Sequence, residues 1–216
     1  MPAAEDPTDD GLRIRGDEQH EDAERHRDRY AWAAERLVKA GLAPEGVSLR
    51  ARPVVLDYGC GTGYGVDIMR RAGLNAIGVE PDARVAEWGR IRWGVPIVTD
   101  IILAPMCPAA IVCFEVLEHL PDSRPLRTLT RLLALTAPEP FVIASVPYRE
   151  KPYINPHHVW VELDERTFTL APDAALQQAG PDAKAAMTFW HQTWDGVINA
   201  GAGPINMLFE VRAKKP

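Results

Sequence analysis

Cysteine is scarce in this chain of 216 residues: Cys60, Cys107 and Cys113 are the only three. An odd number without metal-ligand spacing excludes a disulfide-stapled scaffold and a zinc knuckle, and fits a reduced, intracellular setting. Long hydrophobic runs are missing as well, since nothing approaches the roughly 18 uninterrupted apolar residues of a membrane span. The opening MPAAEDPTDD has neither the basic segment nor the apolar stretch of an export signal. The sequence therefore reads as that of a soluble, cytoplasmic protein with no membrane span. Positive charge is not in excess either, with 24 Lys and Arg against 30 Asp and Glu and a net charge of −6. The acids concentrate at the start, where residues 1–30 hold ten acids and five bases, so the remaining 186 residues are close to neutral. Such a body lacks the broad basic footprint of a dedicated nucleic-acid binder, which argues for small-molecule chemistry and leaves room only for a local patch.

What is present is the balance of one globular domain with a full core, 46% hydrophobic and 25% charged. Residues 1–17 are rich in Pro, Asp and Gly without apolar periodicity and read as a flexible arm. From Glu18 to Ala40 charged residues interleave with Tyr30, Trp32, Ala33, Leu37 and Val38 at the spacing of an amphipathic helix, within an N-terminal helix and cap spanning 18–50. From Pro53 onward β-branched runs alternate with helical ones: VVLDY, VDIMRRAG, NAIGVE, ARVAEWGRIRW, PIVTD, AIVCFEV, a helix near Arg124–Leu135, and PFVIASV. Apolar strands in strict succession with helices predict an α/β, doubly wound, mostly parallel sheet covered on both faces. A helix around Glu165–Gln178 and strands at Met187–Gln192 and Ile205–Ala213 predict a reversed, antiparallel C-terminal edge hairpin. The main domain is thus 51–216, with an insertion at about 148–185.

The strongest local signal is LDYGCGTGYG, residues 56–65, an apolar strand ending in Asp57 and a glycine turn that feeds a helix. Glycine is needed there because the turn uses backbone angles that side chains forbid and lets a ligand touch the main chain. The order is GxGxG and not the GxGxxG of dinucleotide sites. A carboxylate two residues before the turn would repel a pyrophosphate and attract a cation. A nicotinamide-dependent oxidoreductase is disfavoured on both counts. The next strand ends in Glu80, placed to accept hydrogen bonds from ribose hydroxyls, and the third ends in Asp100, placed to accept from an adenine amino group. The fourth runs into Cys113-Phe114-Glu115-Val116-Leu117-Glu118-His119-Leu120-Pro121-Asp122.

With LDYGCGTGYG, GVEPD, VTD, CFEVLEHLPD and SVP in this order, the chain resembles class I S-adenosylmethionine-dependent methyltransferases, firmly over Arg52–Pro147. The likeness extends to types acting on ubiquinone precursors, small metabolites and sugars. It implies a Rossmann-like methyltransferase fold, S-adenosyl-L-methionine as cofactor and S-adenosyl-L-homocysteine as product. It also implies that Asp57, Gly59, Gly61 and Gly63 hold the methionine part, Glu80 the ribose, and Asp100 with Ile101 the adenine. Glu115 and Val116 would lie along the methionine and sulfonium region. A weaker similarity, to relatives whose N-terminal helix closes over the cofactor, implies that Arg27 or Tyr30 meets the methionine carboxylate.

Transfer to a hydroxyl needs a base, and histidine titrates near neutrality. The candidates are His119, after the fourth strand, and His157 or His158, in a Tyr-, His- and Trp-rich segment after the fifth. O-methylation of a small-molecule or glycan-type acceptor is therefore expected, with no metal assigned. Two alternatives stay open. One is a metal-dependent RNA 3′-terminal ribose 2′-O-methyltransferase, with Glu115, Glu118, His119 and a downstream histidine as ligands. The other is a non-catalytic adenosine-ligand-binding partner protein. Nothing in the sequence indicates the oligomeric state.

Overall fold

The computed structural model describes residues 23–105, 107–120, 125–136, 141–149, 158–160, 163–168, 185–193, 196–198 and 206–213. The predicted arm, His157 and most of the 148–185 insertion lie outside them. The chain divides into two units, Met1–Pro105 and Met106–Pro216.

In the first unit, helix α1 (Ala23–Lys39) buries Tyr30, Ala33, Ala34 and Leu37, the face its i, i+3, i+4, i+7 spacing dictates. It packs against α2 (Tyr64–Arg71). Strand β1 (Val54–Tyr58) pairs in parallel with β2 (Asn75–Val79), with Tyr58 opposite Val79, and β2 pairs in parallel with β3 (Ile97–Val98). Parallel neighbours require crossovers. These are α2 and α3 (Ala83–Trp93). Asp82 caps α3 by accepting from Arg84 N at 2.9 Å and Val85 N at 3.4 Å, and Gly94 ends it at φ 66°. A cap of this kind contributes about 1 kcal/mol. The PIVTD segment supplies only a two-residue strand.

In the second unit, β4 (Ala110–Phe114) is buried throughout and pairs in parallel with β5 (Phe141–Pro147). The crossover is α4 (Pro125–Leu135), which buries Leu129, Leu132 and Leu133. After a short α5 (Glu165–Phe168) come β6 (Ala185–Thr193), β7 (Gly196–Ile198) and β8 (Asn206–Ala213). The antiparallel edge differs in order from a simple terminal hairpin. The last strand, β8, lies between β5 and β6, with Val142 opposite Val211 and Trp190 opposite Leu208, while β7 pairs outside β6. The buried run Met207–Val211 explains this placement, because a strand flanked on both edges leaves no ladder groups open. No helix among the described residues is long and apolar enough to cross a membrane.

Candidate active site

Between β1 and α2 the chain turns through Gly59, Gly61 and Gly63, all at positive φ (74°, 53° and 78°). Gly59 N and Cys60 N donate to Val79 O at 2.8 and 3.1 Å, fastening the turn to the carboxyl end of β2. The glycines serve different ends. A Cβ on Gly63 would meet Ile97 Cδ1 at 2.7 Å and Val95 Cγ2 at 2.9 Å, so this position is glycine for packing as well as for its angle. A Cβ on Gly61 would meet nothing within 4 Å among the described residues: the space over that peptide is open to them, as a ligand cradle must be. Sequence reading missed Gly89, where a Cβ would strike the Thr62 carbonyl oxygen. Its hydrogen side chain lets α3 press on the turn, and the signal was a glycine inside a helical pattern.

Two carboxylates flank this cradle. Asp57 is fully buried; its Oδ1 accepts from the Tyr30 hydroxyl at 3.2 Å, and its Oδ2 is buried with no hydrogen-bond partner among the described residues. Burial pushes its pKa up to about 7, helped by the charge of Glu80 and opposed by the Tyr30 hydrogen bond. Glu80 accepts from Gly61 N at 3.0 Å through Oε2 and from Asp82 N at 2.9 Å through Oε1. Its pKa is also raised by burial, against the pull of those two amides. Each Glu80 oxygen keeps a second lone pair, suited to hydroxyl donors. An orphaned buried carboxylate oxygen, an open peptide face and an acid with spare acceptor capacity fit a ligand carrying a cation and a ribose.

The raised pKa of Asp57 has a consequence for stability. In the unfolded chain the carboxyl ionises near its ordinary value of about 3.9, so the folded state binds the proton more tightly. The stability this contributes is complete below the unfolded value and is lost as pH rises through about 7. Urea unfolding of the cofactor-free protein should therefore show a loss of up to about 4 kcal/mol between pH 4 and pH 8 that Asp57→Asn lacks. Equal pH dependence in the two proteins would show that Asp57 ionises normally.

Asp100, exposed at the end of β3, accepts from Ile102 N at 2.9 Å through Oδ1 and caps the single turn Ile101–Leu103. Arg27 donates through Nε to the Tyr64 hydroxyl at 3.1 Å, and Tyr30 directs its hydroxyl to Asp57.

In the second unit, Glu115 follows β4 at φ 55°, a left-handed conformation that costs a non-glycine residue about 1–2 kcal/mol and tends to mark functional sites. It is held by two bonds to β5: its N–H donates to Ser145 O at 3.1 Å, and its Oε1 accepts from Ser145 Oγ at 2.6 Å. Val116 follows it directly and opens the turn Leu117–His119. The buried Glu118 accepts through its backbone carbonyl from Val159 N at 2.8 Å and Trp160 N at 3.0 Å, and Trp160 Nε1 donates to Leu120 O at 3.0 Å. These bonds pin the segment after β5 to the turn after β4. His158 consequently meets His119 edge to face, ring centroids 4.6 Å apart at 75°. A carboxylate oxygen of Glu118 and one ring nitrogen from each histidine all lie within 4.8 Å of one another. The two histidines read from sequence as rival bases thus form one cluster. Glu115, bonded to Ser145, is not part of it.

A family of sequences described as methyltransferase domain matches residues 24–182. No curated protein matches the chain by sequence. Among solved structures, magnesium protoporphyrin IX methyltransferase from Synechocystis PCC 6803 with bound S-adenosylmethionine is similar at 18% identity and TM-score 0.61, covering 98% of this chain and 93% of that one. The plantazolicin methyltransferase BamL, in complex with a desmethylplantazolicin analogue and S-adenosylhomocysteine, has 10% identity and TM-score 0.64, covering 90% and 88%. The methyltransferase domain of a bacterial Hen1 protein has 18% identity and TM-score 0.60, covering 88% and 98%. The fold class is α/β, Rossmann-like and mostly parallel with an antiparallel edge. With a family match across most of its length, the chain belongs to the methyltransferase-domain family and is a class I S-adenosylmethionine-dependent methyltransferase.

Proposed function

We propose that this methyltransferase acts on a hydroxyl of a small-molecule or glycan-type acceptor. The observation that carries the reading is the pairing of His119 with His158 after the carboxyl ends of β4 and β5, where folds of this kind bind ligands. The bound cofactor supplies a methyl group on a sulfonium, open to in-line attack. The rest falls to the chain. Asp57, when ionised, attracts the ammonium group of the methionine part, the glycine turn offers its backbone at Gly59 and Gly61, and Glu80 accepts from the ribose. Asp100 and the Ile101 peptide serve the adenine, Glu115 and Val116 the methionine side, and α1 caps the cofactor. One imidazole of the His119–His158 pair takes the acceptor's proton, and the other holds it in orientation.

Glu80→Ala should weaken S-adenosylhomocysteine binding by about 1.5–3 kcal/mol, the range for hydrogen bonds to a charged group. Calorimetry reads this directly, and an unchanged dissociation constant would place Glu80 outside the site.

A second reading, metal-dependent methylation of an RNA 3′-terminal ribose, is favoured by the Glu118–His119–His158 cluster, whose one carboxylate and two imidazoles suit a divalent transition metal. A protein described as the small RNA methyltransferase HEN1 shares the fold at TM-score 0.52, the chain covering 25% of its length. The test is turnover of S-adenosylmethionine across a panel of hydroxylated metabolites and short RNAs, with and without chelator. Chelator-insensitive methylation of a metabolite supports the first reading. RNA methylation lost to chelator and restored by manganese supports the second.

A further inference from the structure

We propose that Tyr30 is a positioning residue for the cofactor site: from α1 it fixes the Asp57 carboxylate through Oδ1 and leaves Oδ2 as the oxygen that receives the cofactor's ammonium group. This rests on the methyltransferase reading and assigns Tyr30 a role through Asp57 in place of direct contact with the cofactor.

The geometry is specific. Tyr30 is 7% exposed on the buried face of α1. A Cβ on Gly65 would run into Cζ, Cε1 and Cδ1 of the Tyr30 ring, so the first turn of α2 has a seat only glycine leaves open. From that seat the hydroxyl reaches Asp57 Oδ1 at 3.2 Å, across 27 positions of sequence. Among the described residues Asp57 Oδ2 is left buried without a hydrogen bond, and such an atom is costly unless a ligand completes it.

Among the described residues, the ionisable groups acting on this pair come from three places. They are Tyr30 and Arg29 on α1, Cys60 in the glycine turn, and Glu80 at the end of β2. Burial and the neighbouring Asp57 hold the Tyr30 phenol well above its ordinary range, so it is a proton donor at any working pH. Burial likewise holds the Cys60 thiol in its neutral form. Glu80 opposes ionisation of Asp57, and the Tyr30 hydrogen bond favours it. Tyr30 therefore sets both the aim and the charge of the acid. Since an ammonium group prefers the ionised carboxylate, cofactor affinity should rise with pH up to about 7 and then level off.

The test is S-adenosylhomocysteine affinity from pH 5.5 to 9 in the parent, Tyr30→Phe and Gly65→Ala, with a carboxyl-carbon titration of Asp57 in the cofactor-free protein. Tyr30→Phe keeps the ring and removes the donor. It should move both midpoints up by about one pH unit, weakening binding about tenfold below the midpoint and little above pH 8.5. Gly65→Ala should displace the ring and weaken binding at every pH. A Tyr30→Phe variant with the parent's affinity and midpoint overturns the proposal and leaves the methyltransferase reading standing. An equal loss at every pH with unmoved midpoints also overturns it, reducing Tyr30 to packing. No binding by the parent at any pH overturns the reading and the proposal together.

Discussion

Replacing His158 by alanine is expected to lower methyl transfer by about 10²–10⁴, the usual cost of removing a general base, with cofactor affinity within about twofold of the parent. His158 belongs to the segment after β5 and pairs with His119, so under the proposed reading affinity for S-adenosylhomocysteine should not follow the rate down. His119→Ala should fall in the same range. The two rings are 4.6 Å apart, and groups that act as a unit are strongly non-additive. The double variant should therefore be little slower than the slower single one. Full turnover by either single variant would remove that histidine from proton transfer. Full turnover by the double variant, with no effect of chelator, would mean that alignment alone suffices for an acceptor that is already nucleophilic, such as an amine.

Gly61→Val is expected to abolish measurable binding of S-adenosylhomocysteine. Two effects combine at this position. The residue sits at φ 53°, which a β-branched side chain strongly disfavours. The added atoms would also enter the space over the Gly61 peptide that the described residues leave open. The Gly61 amide bonded to Glu80 would shift with them, disturbing the ribose acid as well. Gly63→Ala provides the contrast. There the added Cβ clashes with Ile97 and Val95, so folding stability should suffer first. Calorimetric titration and urea unfolding separate the two outcomes. Parent-like affinity in Gly61→Val would show that the turn is not the cofactor cradle.

How much of this was legible in the sequence depended on whether the determining interaction was local. Helix α3 was read from Ala83 to Trp93 as found, because its cap at Asp82 and its stop at Gly94 are neighbours in sequence. The glycine turn with Asp57 and Glu80 was legible for the same reason, each residue marking a strand end. The placement of β8 between β5 and β6 was not, since strand order at an antiparallel edge is a choice among distant partners. Nor did any pattern foretell the left-handed Glu115 held on Ser145, or the hydroxyl of Tyr30 on Asp57. The joining of His119 and His158 goes with bonds from Val159 and Trp160 to the Glu118 carbonyl and from the Trp160 indole to Leu120 O, the last spanning 40 positions. Composition and periodicity are blind at that range. Asp100 shows the opposite limit: its position at a strand tip suggested adenine, while the local backbone also uses it as a cap.

The central claim is methyl transfer from S-adenosylmethionine to a hydroxyl oxygen, and methyl-labelled cofactor tests it most directly. Incubated with the hydroxylated acceptor panel and followed by carbon magnetic resonance, the label should appear as an O-methyl carbon, together with S-adenosylhomocysteine in equal amount. Label found on nitrogen or carbon, or cofactor that binds and is never consumed, would contradict it.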